Sequence, residues 1–121
     1  MPIVDSSVLV AFVNESDELH GRAISLDLRG GVINQLVLAE VANVLQKRVK
    51  EKRKVVGEIK RILETIPVAE LKEEDLWNAL AFFANNYPKI SFTDASLLAQ
   101  RRRTGHEILT FDEQLASISS S

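Results

Sequence analysis

Short apolar stretches alternating with longer segments of helical periodicity predict a single α/β domain, a parallel sheet with helices on both faces. Three observations carry that expectation. Four stretches, Ile3-Val4, Val32-Ile33, Ile66 to Val68 and Glu107 to Phe111, read as strands, and helical patterns separate each from the next. No internal repeat, interdomain linker or low-complexity segment interrupts the 121 residues before the closing Ser119-Ser120-Ser121. One domain over residues 1–118 with a disordered tail at 119–121 is therefore expected. Finally, 45% of the residues are apolar and the formal charge is −2, a composition able to bury a core at this length without disulfides or structural metal.

Taken in order, Ile3-Val4 is followed by Asp5-Ser6-Ser7 and the apolar run Val8 to Val13, which reads as strand, polar turn and helix. A second helix is expected over Asp17 to Leu28, closed by Gly30-Gly31, before Val32-Ile33 and the N-cap residue Asn34. From Gln35 the apolar positions Val37, Val41, Val44, Leu45 and Val49 keep the 3.6-residue period. Val55 to Leu63 continues as helix, and Lys72 to Asn85 forms another that carries Leu76, Trp77, Leu80 and Phe83 until Asn85-Asn86-Tyr87-Pro88 breaks it. Ser91 to Arg103 is helical and Gly105 ends it. After the last strand Asp112 starts a short helix.

Inspection removes many functions. With no Cys there is no thiol nucleophile, CxxC zinc site or redox pair, a composition that fits a reducing cytoplasm. The longest apolar runs have six residues, where a membrane span needs about 20, and the N-terminus lacks the pattern of a signal peptide. The glycine-rich phosphate loops, the nucleophile elbow and the H-E-x-x-H motif are absent, and His20 and His106 are far apart in sequence. Carboxylates remain. Asp5 and Asp112 each follow a strand, Asp94 closes Ser91-x-x-Asp94, and Glu40 projects from the otherwise apolar face of Leu36, Val37 and Val44. Each also has a plain structural use, as an N-cap for the three aspartates or a buried ion pair for Glu40. Their convergence on one edge of the sheet points elsewhere. Clustered carboxylates repel, and a hard divalent cation, Mg²⁺ or Mn²⁺, keeps them ionised and suits phosphodiester hydrolysis.

The segments Ile3-Val4-Asp5-Ser6-Ser7, Leu36 to Leu45, Ser91 to Ala99 and Ile108-Leu109-Thr110-Phe111-Asp112 together resemble the PIN domain family, and within it the small VapC-type toxins. The resemblance implies a parallel sheet, of four to five strands in this chain, between helices. It also implies a Mg²⁺ or Mn²⁺ site and ribonuclease activity on RNA. In the toxin subgroup it further implies a homodimer and an antitoxin protein whose tail enters the active-site groove. By position Asp5, Glu40, Asp94 and Asp112 match the acidic quartet that is both catalytic and metal-binding, with Ser6 and Thr110 as hydroxyls to orient water or phosphate. Only nine residues follow Asp112, so a strand beyond Phe111 has little room.

Charge supports a polyanionic substrate in part. Lys47 to Arg61 holds eight basic residues against two acidic, and Arg101, Arg102 and Arg103 form a second basic group, candidates for RNA contacts. A solvated helix surface explains the first segment slightly better, because that stretch leads away from Glu40. Two other readings stay open: a housekeeping RNA-processing nuclease, and a catalytically silent module that acts as an RNA- or protein-binding scaffold. A receiver or haloacid-dehalogenase-like site fits worse, because Ser7 stands where the second acid of Asp-x-Asp would be.

Overall fold

The first strand, β1 (Ile3–Val4), lies parallel to β2 (Ile108–Leu109), with Ile3 opposite Ile108 and Val4 opposite Leu109. The structure is a computed structural model describing residues 1–120. Ile3 N–H donates to the Glu107 carbonyl (2.7 Å) and Asp5 N–H to the Leu109 carbonyl (2.9 Å), so the ladder runs on to the first acid of the chain. On the other side of β1, single parallel bridges join Ile3 to Val32 and Ile33 to Val68. The row is thus β2, β1, Val32-Ile33, Val68.

This corrects the expected four to five strands: among the described residues two segments qualify as strands, and Val32-Ile33 and Val68 take part only as bridges. The reason is local. Gly31 turns the chain directly before Val32, and a Cβ there would lie 2.8 Å from Val4 Cγ2, so backbone rather than side chain packs at that end. Ile66 is already used as the C-cap of a helix, leaving Val68 a single rung.

Among the described residues seven helices follow the order of the chain: α1 (Ser6–Val13), α2 (His20–Ile24), α3 (Gln35–Arg48), α4 (Lys52–Thr65), α5 (Glu73–Asn85), α6 (Phe92–Thr104) and α7 (Glu113–Ser120). The α1 helix packs on α2 and α3, α3 on α4 and α6, and α5 on α6. α2 is shorter than the expected Asp17 to Leu28. Asp17 is drawn into a turn, its side chain accepting from Leu19 N–H and its carbonyl from His20 N–H, which delays the helix to His20. α6 ends at Gly105, whose φ of 79° is left-handed, as a C-terminal glycine cap requires. α7 takes in Ser119 and Ser120, where a disordered tail was expected, and Ser121 lies outside the described residues. Among the described residues no helix is long and apolar enough to cross a membrane.

Ile3, Val4, Leu9, Ile33, Val37, Val41, Leu45, Leu97 and Leu115 form the centre of the core, each at most 1% exposed. α6 runs through the core, with Ala95 to Gln100 all buried. Its far end is fixed by Arg103, which donates from Nε (2.8 Å) and Nη2 (3.0 Å) to the fully buried Asp75 of α5. Burial pushes the Asp75 carboxyl up, but the Arg103 hydrogen bond, Lys72 N–H and the charges of Arg103 and Lys72 outweigh it and hold the group below the usual aspartate value.

Candidate active site

Because β1 is only two residues long, Asp5 emerges at once from the carboxyl end of the sheet, where it is the N-cap of α1. It is 2% exposed and accepts three hydrogen bonds. Ser6 N–H (2.7 Å) donates to Oδ1, with Ser6 Oγ 3.4 Å from the same oxygen, and Ser7 Oγ (2.9 Å) and Thr110 Oγ1 (2.7 Å) donate to Oδ2. Glu40 comes from the middle of α3 and receives the Ser6 hydroxyl on Oε1, so Ser6 stands between the two acids. The buried ion pair considered for Glu40 is not among the ion pairs of the described residues.

Asp112 follows β2 by three residues. Its backbone N–H donates to Thr110 Oγ1 (2.9 Å) while its side chain accepts from Leu115 N–H (3.1 Å), starting α7. Asp94 sits in the first turn of α6 in a reciprocal box with Ser91: Ser91 N–H donates to Oδ2 and Asp94 N–H to Ser91 Oγ, each at 3.0 Å. The capping use foreseen for Asp94 and Asp112 is therefore real, and it coexists with electrostatic contact. Partial burial raises the Asp94 carboxyl to about 6, the negative charges of Asp5 and Asp112 add to the rise, and the Ser91 hydrogen bonds oppose it. Asp94 thus lies within electrostatic reach of both Asp5 and Asp112, and Glu40 is joined to Asp5 through Ser6.

Ser7 is the residue the sequence reading passed over. Its Oγ donates to Asp5, accepts from Phe111 N–H (3.0 Å) and lies 3.4 Å from Thr110 Oγ1, so one hydroxyl joins the start of α1 to the corner that carries Asp112. The only advance signal was its place beside Asp5.

The basic candidates divide. Arg103 is committed to Asp75, away from the acids, whereas Arg101 and Arg102 are exposed and line a groove with Phe82, Asn85, Asn86, Leu98 and Ile118. Of the Lys47 to Arg61 stretch, Arg48 pairs with Asp17, Lys60 with Glu64 and Arg61 with Glu58. Arg22, not singled out before, rests on the Phe111 ring with its Cζ 4.8 Å from the centroid.

All ionisable donors at the site are carboxylates, flanked by hydroxyls, which is the chemistry of a hard divalent cation and not of zinc held by His or Cys. Among the described residues no group of three such side chains is drawn close enough to enclose an ion by itself. The Asp94 carboxyl is raised chiefly by partial burial, and the smaller contribution from the charges of Asp5 and Asp112 is one that a cation would offset.

The model of the PIN domain family matches residues 3–120. The chain belongs to the PIN domain family. Among solved structures this PIN domain is similar to VapC20 of Mycobacterium tuberculosis, described as a sarcin-ricin loop cleaving toxin, at TM-score 0.84 and 22% identity over 98% of this chain and 95% of that one. It is also similar to VapBC2 of Rickettsia felis bound to a promoter DNA fragment, with TM-score 0.73 and 14% identity over 96% and 90% of the two chains. A toxin-antitoxin complex from Klebsiella pneumoniae matches with TM-score 0.66 and 17% identity over 93% and 87%. At these identities the likeness establishes the fold. No curated protein matches this PIN domain by sequence.

Proposed function

We propose that this PIN domain is a divalent-metal-dependent endoribonuclease, the toxin of a toxin-antitoxin pair, with Asp5, Glu40, Asp94 and Asp112 as its catalytic, metal-binding carboxylates. The observation that supports the reading is that Asp94, at the start of α6, lies within electrostatic reach of both Asp5, at the end of β1, and Asp112, beyond β2. Similarity to VapC20 and to two toxin-antitoxin assemblies supports the substrate and the partner.

Hydrolysis adds water across one P–O bond of the RNA backbone and leaves a phosphate on one fragment and a hydroxyl on the other. A hard divalent cation, Mg²⁺ or Mn²⁺, supplies positive charge against the phosphodiester and makes water acidic enough to act as nucleophile at neutral pH. The chain supplies the rest. Asp5 is held by three hydrogen bonds, which keep its carboxylate in place as charge arrives. Ser6 holds Glu40 toward Asp5, and Thr110, bonded to both Asp5 and the Asp112 backbone, sets the distance between those acids. Asp94 completes the acidic set from the first turn of α6, where its reciprocal box with Ser91 holds the carboxylate in place. A protein nucleophile has no part, and the His20 ring is bonded at Nδ1 to the Ala11 carbonyl.

Arg101 and Arg102 extend the positive charge available to RNA. The exposed Leu76, Trp77 and Leu80 of α5 suit a homodimer contact, and a Cys-free chain suits the cytoplasm. Cleavage of a mixed RNA pool tests the reading: products are expected with Mn²⁺ or Mg²⁺ and none in excess EDTA, nor with Asp5→Asn. Full cleavage in EDTA refutes the metal-dependent site, and no cleavage under any condition favours the scaffold reading.

A further inference from the structure

Four carboxylates make a poor landing place for RNA. Even with one divalent cation bound, their summed charge stays negative, and a polyanion approaching them needs fixed positive charge close by. Four of the eight arginines are engaged by acids: Arg29 by Asp27, Arg48 by Asp17, Arg61 by Glu58 and Arg103 by Asp75, and Arg53 lies on α4. Arg101 and Arg102 lie about two turns along α6 from Asp94. Arg22 differs from all of these. It is exposed, takes part in no ion pair among the described residues, and lies on the ring of Phe111, the residue between Thr110 and Asp112.

Its placement is fixed on both sides. His20 bonds the Ala11 carbonyl of α1 at 2.7 Å, and Ala23 is wholly buried, so the short α2 is anchored immediately before and after Arg22. The ring in turn is held by its backbone, since Phe111 N–H donates to Ser7 Oγ. A guanidinium laid on an aromatic face keeps its N–H edge free, and that edge matches two phosphate oxygens at once.

We infer that Arg22, supported by Phe111, binds the RNA phosphate adjoining the bond that is cut. This rests on the ribonuclease reading and adds to it the residue that holds the substrate backbone in register with the acids. Arg22 is a substrate-binding group, and the metal-binding carboxylates do not depend on it.

The test compares wild type with Arg22→Gln, Arg22→Lys and, as a control for general loss of charge, Arg29→Gln, which alters an exposed arginine already paired with Asp27. Steady-state cleavage of a single-stranded oligoribonucleotide in Mn²⁺ gives KM and kcat. Anisotropy of the same labelled RNA in EDTA across a salt series gives the binding slope, and melting with and without Mn²⁺ reports metal binding independently of activity. Arg22→Gln is expected to raise KM about tenfold and to reduce the slope of log K against log salt by about 0.7, the loss of one phosphate contact on a single strand. Its Mn²⁺-induced melting shift should equal that of wild type. Arg22→Lys should recover the salt slope but only part of KM, because it keeps charge and loses the planar edge, and Arg29→Gln should behave as wild type. Wild-type KM and slope in Arg22→Gln, beside a wild type that binds and cleaves RNA, overturn the Arg22 assignment alone. Wild type that neither binds nor cleaves RNA overturns the ribonuclease reading and Arg22's role with it. Equal effects of Arg22→Gln and Arg29→Gln reduce Arg22 to nonspecific charge and also overturn the assignment.

Discussion

Replacing Asp94 by Asn separates the two uses of this side chain. The amide oxygen can still accept from Ser91 N–H, so the capping box survives, while the negative charge facing Asp5 and Asp112 is removed. A carboxyl raised from 3.8 to about 6 in the folded state binds more protons folded than unfolded between those values, so stability falls as pH rises through that window and is flat above it. At about 1.36 kcal/mol per unit the full shift would correspond to about 3 kcal/mol, and solvent screening at this half-buried group reduces that to about 1–2 kcal/mol. Weakening one charged hydrogen bond to a neutral one returns about 0.5 kcal/mol, leaving a net gain of about 1 kcal/mol for the variant. In chelator Asp94→Asn should thus melt a few degrees above wild type at pH 8, and the gap should close toward pH 4. Adding Mn²⁺ should reverse the order: a hundredfold excess over Kd stabilises wild type by about 2.7 kcal/mol and the variant much less. Thermal melts at several pH values, with EDTA and with Mn²⁺, measure all of this. A gap independent of pH, together with equal Mn²⁺ shifts, would refute the charge cluster and leave Asp94 a cap.

Ser7→Ala should lower RNA cleavage at least tenfold and weaken Mn²⁺ binding, with a stability cost of about 1 kcal/mol; Ser7→Thr, which restores a hydroxyl, should recover part of both, whereas wild-type cleavage by the alanine variant would deny Ser7 a positioning role. Asp75→Ala leaves Arg103 without its buried partner and should cost about 3–5 kcal/mol in urea unfolding, far more than Asp27→Ala at the exposed Asp27–Arg29 pair. Sedimentation at micromolar concentration should give a dimer that Trp77→Glu returns to monomer; a monomeric wild type removes α5 as an interface.

Helices with a full apolar period were readable in the sequence. The spacing of Val37, Val41 and Leu45 predicts α3, and the same three side chains are at most 1% exposed. Gly105 and the Ser91-x-x-Asp94 box marked the ends of α6 because caps are local chemistry. Strand count was not readable, since a two-residue apolar pair does not reveal whether its neighbour offers one rung or several. The acids could be named because strand ends and a charge on an apolar face are visible in one dimension. Ser7 could not, because its partners Thr110 and Phe111 lie 103 and 104 residues away. Arg103 looked free for the same reason: Asp75 is 28 residues earlier, on another helix.

The Asp75–Arg103 pair has a bearing on the opposite end of α6. That helix starts at the acid cluster and finishes at the ion pair, so it behaves as a rod clamped at its rear while its front end is pushed by like charge. A rod free to slide would retreat and relax the repulsion, and an incoming cation would then have to pull it forward again. With the rear clamped, the front of α6 holds its place against that repulsion, so on the proposed reading a cation would draw acidic side chains together rather than move the helix. The clamp at Arg103 would then make metal binding an event of side chains and charge: amide exchange along α6 should slow on adding Mn²⁺ while its packing against α5 stays as it was.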